Sequence, residues 1–163
     1  MTHGFSSSST NYQIDKYFAD RSISDAAKDK LKKDDVLILP HLHGDDKYYF
    51  SQEAIDFAKF CKQADADVKS DILADYDKIE VRELRSFDIW MPIIWVASNV
   101  ILPTVLGIVA NYISARTMGR EHENCKVVVD FIIKSGDTTK ELHFDGDAKS
   151  FKEAFKKIDL AKL

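Results

Sequence analysis

An α+β fold built on one small mixed sheet is what this sequence predicts, and three observations carry the prediction. Residues 126–134, KVVVDFIIK, and 138–144 read as two strands around a Ser135-Gly136-Asp137 turn, and a helical stripe follows at Phe151, Ala154, Phe155 and Ile158. Residues 52–64 place Ala54, Phe57, Ala58 and Cys61 at helical spacing behind Ser51, a good N-cap. Between these halves, from Ile89 to Ala115, 27 consecutive residues carry no charge, in a chain that is 31% Asp, Glu, Lys and Arg.

The remaining elements follow in chain order. The start, MTHGFSSSST, is polar, lacks the apolar stretch of a secretory signal and is expected to be disordered. Tyr12, Ile14, Tyr17 and Phe18 give the next segment a docking surface. Ser22 or Ser24 caps a short helix to about Lys33, with Ile23, Ala27 and Leu31 on one face. The run VLILP, residues 36–40, reads as a buried strand stopped by Pro40. HLHGDDK is a turn, and Tyr48-Tyr49-Phe50 is a second short strand or an aromatic lid. The acidic stretch 65–77 is anchored by Val68, Ile72 and Leu73, and Ile79 and Val81 alternate with charge as in a half-exposed strand. Residues 116–126 form a polar linker, and Asp145-Gly146-Asp147 ends the hairpin, with Asp147 capping the last helix. The chain thus divides into an N-terminal α/β region (1–85), an apolar segment (86–116) and a C-terminal ββα unit (117–163) that packs as part of the same domain.

Two fates are open to the apolar segment. Twelve of its residues are Ile, Val or Leu, worth on the order of −4 to −7 kcal/mol of insertion at a bilayer centre. Trp90 and Trp95 near one end and Tyr112 near the other suit two interfacial belts, since 22 residues of helix span about 33 Å. Gly107 and Ala110 would let a second helix approach. Against a straight span, Asn99, Asn111, Ser98 and Thr104 would need partners in lipid, and Pro103 would break the helix into pieces near 92–101 and 103–115. A span would also strand a two-stranded hairpin alone on the far side. If residues 36–40 and 79–81 instead join that hairpin in one sheet, the run is a re-entrant hairpin or a helix covered by a partner.

Composition narrows the chemistry. A net charge of −4 argues against nucleic acid, and Lys28, Lys30, Lys32 and Lys33 are interrupted by Asp25, Asp29, Asp34 and Asp35. Cys61 and Cys125 lack metal spacing and suggest a reducing compartment, with Cys61 a small buried hydrophobe. His41-x-His43 with Asp45 is the best metal candidate, because alternate residues at a strand end aim two imidazoles the same way. Glu121, His122 and Glu123 read as a solvated linker, and His143 falls on the strand face opposite Leu142 and Phe144. Asp145-Gly146-Asp147 lacks the glutamate of a calcium loop. No nucleophile elbow, Walker loop or dinucleotide fingerprint occurs, and no cofactor is expected.

The order of features from Phe87 to Pro92, through Asn111-Tyr112-Ile113, a hairpin, the Phe144–Asp147 turn and a short helix, resembles a group of small bacterial proteins. It is similar to the effector-associated constant component proteins of bacterial conflict systems, over about residues 84–159. Here the N-terminal half is longer and the helix has fewer small residues. The resemblance implies a role beside an effector or sensor in antiviral defence and brings no catalytic residues. The expected function is a non-enzymatic, membrane-associated accessory subunit facing the cytoplasm, assembling with itself or a protein partner through residues 89–115. The alternatives are a cytoplasmic subunit burying that segment against a larger partner, and a metal-dependent enzyme using His41, His43 and Asp45.

Overall fold

The computed structural model describes residues 4–10, 29, 33–42, 48–64, 67–73, 80–82, 88–119, 124–136 and 138–157. Strands β1 (Gly4–Thr10), β2 (Val36–Leu39), β5 (Ser70–Ile72), β7 (Ile89–Val96), β8 (Lys126–Ser135) and β9 (Thr138–Asp147) form one sheet in the order β1-β9-β8-β7-β2-β5. Strands β3 (His41–Leu42), β4 (Tyr48–Ser51) and β6 (Val81–Arg82) make a small second sheet. Helices α1 (Gln52–Ala64), α2 (Leu102–Arg116) and α3 (Ala148–Lys157) complete the architecture.

The uncharged run is neither a span nor one helix. It is strand β7, a five-residue turn and helix α2. Isoleucine, tryptophan and valine dominate 89–96 and favour a pleated strand. Pro92, lacking an N–H, falls within the register shift between Trp90 and Ile93, where a strand tolerates it. Ser98 turns the chain: its Oγ accepts the Val100 N–H at 3.2 Å and its carbonyl accepts the Ile101 N–H at 3.4 Å. Pro103 lies in the first turn of α2, where a missing N–H costs nothing. The predicted break near Ser98-Asn99 is therefore real, but the first half is strand rather than helix. Among the described residues no helix is long and apolar enough to cross a membrane. This overturns the expected transmembrane helix.

β7, α2 and β8 form a right-sized crossover between adjacent parallel strands, and β2, α1 and β5 form another. The two units meet where β2 pairs antiparallel with β7, Val36 opposite Val96 and Leu39 opposite Ile93. An inner strand buried on both faces reads as a continuous apolar run, and a helix with a broad buried face extends it. That is the origin of the 27 uncharged residues.

Side chains from all three helices join one continuous core with alternate residues of the strands: Phe57, Cys61, Leu106, Val109 and Phe151 with Ile38, Ile94, Val129, Phe131 and Phe144. The helices therefore cover one face of the sheet. Helix α1 has the predicted bounds and buries the predicted stripe, and the Ser51 Oγ accepts the Ala54 N–H at 3.1 Å. The Asp147 carboxylate accepts the Ser150 N–H at 2.7 Å, capping α3 as expected. The hairpin and α3 stand where the periodicity put them, but not as a separate unit: β8 is bonded to β7 and β9 to β1.

Other expectations change. The serine-rich start is an edge strand, with Gly4 opposite Asp145 and Thr10 opposite Thr139. Val81 pairs with Phe50 in the small sheet instead of joining the main one, because β2 reaches the hairpin through β7. Ile79 and Ile158 lie outside the described residues, as does the helix drawn from Ser22 or Ser24 to about Lys33, except for Asp29, which is helical, and Lys33, which is in a turn.

Gly107 lies inside α2, and a Cβ built on it meets nothing within 4 Å. Among the described residues of the chain itself, nothing packs closely against this position. Gly107→Ala is expected to stabilise the fold by about 0.5–1 kcal/mol, because alanine loses less backbone entropy in a helix. A urea midpoint that stays or falls would count against this placement.

Candidate functional site

The residues expected to face lipid or a partner divide sharply. Ala110 and Tyr112 are buried in the chain's own core, and Trp95 is 8% exposed among Leu37, Leu39, Leu73 and Ile132 on the other sheet face. Asn99 is half-buried in the turn, its carbonyl accepting the Leu102 N–H at 3.3 Å. Pro103 and Asn111 are exposed on α2. Tyr112 is no interfacial anchor: its ring meets Phe57 and Phe60 edge-on at 5.2 and 5.4 Å, and its hydroxyl donates to Glu53. Only Trp90 keeps a large aromatic surface in solvent, at 53% exposure.

Glu53 is the pivot of an inter-helix clamp. Its two carboxylate oxygens accept the Arg116 Nε–H at 2.8 Å and an Arg116 terminal N–H at 2.9 Å. Burial first, and the Glu53 hydrogen bond next, hold the Tyr112 phenol well above its ordinary range. The same carboxylate raises Arg116. These bonds join α1 to α2. Burial pushes the Cys61 thiol up to about 12, which removes it as a nucleophile at neutral pH.

Trp90 points to the sheet face opposite the helices, and its neighbours there follow from register. One cross-strand row holds Trp90, Val128, Asp145 and Gly4; the next holds Ile93, Asp130, His143 and Ser6; a third holds Trp95, Ile132, Glu141 and Ser8. The third row is closed at Trp95 and Ile132, whereas Trp90 in the first is open. The Lys126 ammonium lies 6.0 Å from the Trp90 ring centroid and 3.3 Å from the Asp145 carboxylate. The Lys126 backbone N–H donates to Asp88 at 3.0 Å. His143 Nδ1 and an Asp130 oxygen are 2.5 Å apart, both side chains about one-third exposed (38% and 30%). The arrangement is an exposed aromatic ring beside carboxylates and the Lys126 ammonium, suited to stacking and charge pairing.

Sequence reading placed His143 on this face but did not join it to Asp130. The signal was present: a hairpin closed by Ser135 and Thr138 pairs positions summing to 273, and 130 + 143 is such a pair. His41 sits in β3 opposite Tyr49, and His43 and Asp45 lie outside the described residues. Among the described residues no three His, Cys, Asp or Glu side chains gather as a metal site. Compared with protein families, curated proteins and solved structures, the chain finds no match in any of the three.

Proposed function

We propose that this chain is a non-enzymatic binding subunit that meets a basic surface of a partner protein through the open half of its sheet, around Trp90. The observation that carries this reading is a tryptophan on an inner strand with 53% of its surface in solvent. Trp is the residue type most enriched among the few that dominate interface energetics. Asp130, Glu141 and Asp145 share that face with Lys126, Lys134 and His143, and with Lys126 paired to Asp145 the carboxylates beside His143 are left to favour a cationic group of the partner. The order of features that resembles effector-associated constant component proteins is what suggests a place beside an effector or sensor in antiviral defence. Relative to the reading from sequence, the contact moves from the whole 89–115 segment to one residue of it.

A photocrosslinking residue placed at Val128 tests this in the native cell, with Thr104, exposed on α2, as the comparison site. Crosslinking to a protein partner from 128, weakened about thirtyfold or more in apparent affinity by Trp90→Ala, is the expected result. Crosslinks only from 104, none from either site, or crosslinks at 128 that survive Trp90→Ala would refute it.

A further inference from the structure

The two ends of the main sheet are unlike. β5 closes one end with three residues, Ser70–Ile72, too few to template another chain. β1 closes the other with seven, GFSSSST, which carry no charge and no proline. Its register with β9 runs from Gly4 to Thr10 without a bulge, and among the described residues no strand pairs with its outer edge. Natural sheets guard long edges with lysine, proline, a bulge or brevity, because an edge presents backbone N–H and C=O groups to any extended chain. β1 has none of these guards.

We propose that β1 pairs antiparallel with β1 of a second copy about a two-fold axis at Ser7, giving a twelve-stranded sheet. In that register Gly4 faces Thr10, Phe5 faces Ser9, Ser6 faces Ser8 and Ser7 faces itself, so all seven residues pair and no like charges oppose. A two-fold axis normal to the sheet keeps both open faces on the same side. The two Trp90 rows then lie seven strand spacings apart across the sheet, roughly 34 Å at about 4.8 Å each, and are offset by about 20 Å along the strands because Gly4 of that row is three residues from the axis, which sets the two positions about 40 Å apart. That bivalence rests on the binding reading above; the pairing does not.

Sedimentation and light scattering of the full chain read the pairing directly, without any partner. The expected mass is twice 18.6 kDa at micromolar concentration. Ser6→Lys combined with Ser8→Lys, which sets ammonium groups face to face twice across the axis in the rows of His143 and Glu141, should weaken the dimer by roughly tenfold or more with an unchanged circular dichroism spectrum. Because a strand variant can misfold, cysteine crosslinking gives a second readout. Ser7→Cys should oxidise to a covalent dimer, since directly opposed residues lie within disulfide reach. Thr10→Cys should not, its copies being about 20 Å apart at 3.4 Å per residue. A wild-type monomer, or equal crosslinking at 7 and 10, overturns the pairing and leaves the Trp90 reading standing. Loss of partner crosslinking with an intact dimer does the reverse.

Discussion

Val109→Asp is expected to unfold the isolated protein. Val109 is fully buried at the centre of α2, in the continuous core shared with α1 and the strands. A carboxylate there would have to ionise without a partner or stay protonated without an acceptor, at a cost on the order of 5 kcal/mol. Domains of this size have about 5–15 kcal/mol in total. Were the same residue facing lipid or a partner chain, the substitution would change location or assembly and leave the fold alone. Asn111→Asp, on the exposed side of the same helix, should shift stability by less than about 0.5 kcal/mol. Circular dichroism with a urea titration decides: a cooperative transition for Val109→Asp within 1 kcal/mol of wild type would refute the core assignment.

Glu53→Ala should be the next most damaging change discussed here, at about 3 kcal/mol. The side chain is 11% exposed and accepts from Tyr112 and, twice, from Arg116. Its removal leaves a buried phenol without that acceptor and a two-thirds-buried guanidinium without its counter-charge, the situation in which breaking a pair costs most. Glu53→Gln should cost less, because the amide oxygen still accepts. Tyr112→Phe should cost about 1 kcal/mol, the value of one net hydrogen bond. Denaturation midpoints for the three variants test the order. A Glu53→Ala protein as stable as wild type, or a Tyr112→Phe protein less stable than Glu53→Ala, contradicts the clamp.

Local signals proved legible where one element's own pattern decided its structure. The bounds of α1, its buried stripe and its Ser51 cap follow from 3.6-residue spacing and one side-chain oxygen. The β8–β9 hairpin follows from alternation around Gly136, whose φ of 62° suits a residue without a Cβ. The open face around Trp90 was less legible. Trp90 was singled out, but for a membrane belt, and Asp130 with His143 emerges only when two strands are laid side by side. The serine strand β1 has no apolar alternation of its own and becomes a strand by bonding to β9.

By itself the sequence determined which segments are apolar, where helix α1 and the hairpin lie, and that residues 89–115 carry no charge. Only the tertiary structure decided what shields them. Periodicity distinguishes one exposed face from another, and it vanishes when both faces are covered. β7 lies between β2 and β8 with helices above it, so its pattern is uniform, and uniform hydrophobicity looks alike in a bilayer, an oligomer or a core. The pairing of β2 with β7 and of β7 with β8 resolves that ambiguity, and it leaves Trp90 and Val100 as the large apolar side chains of the run that stay exposed.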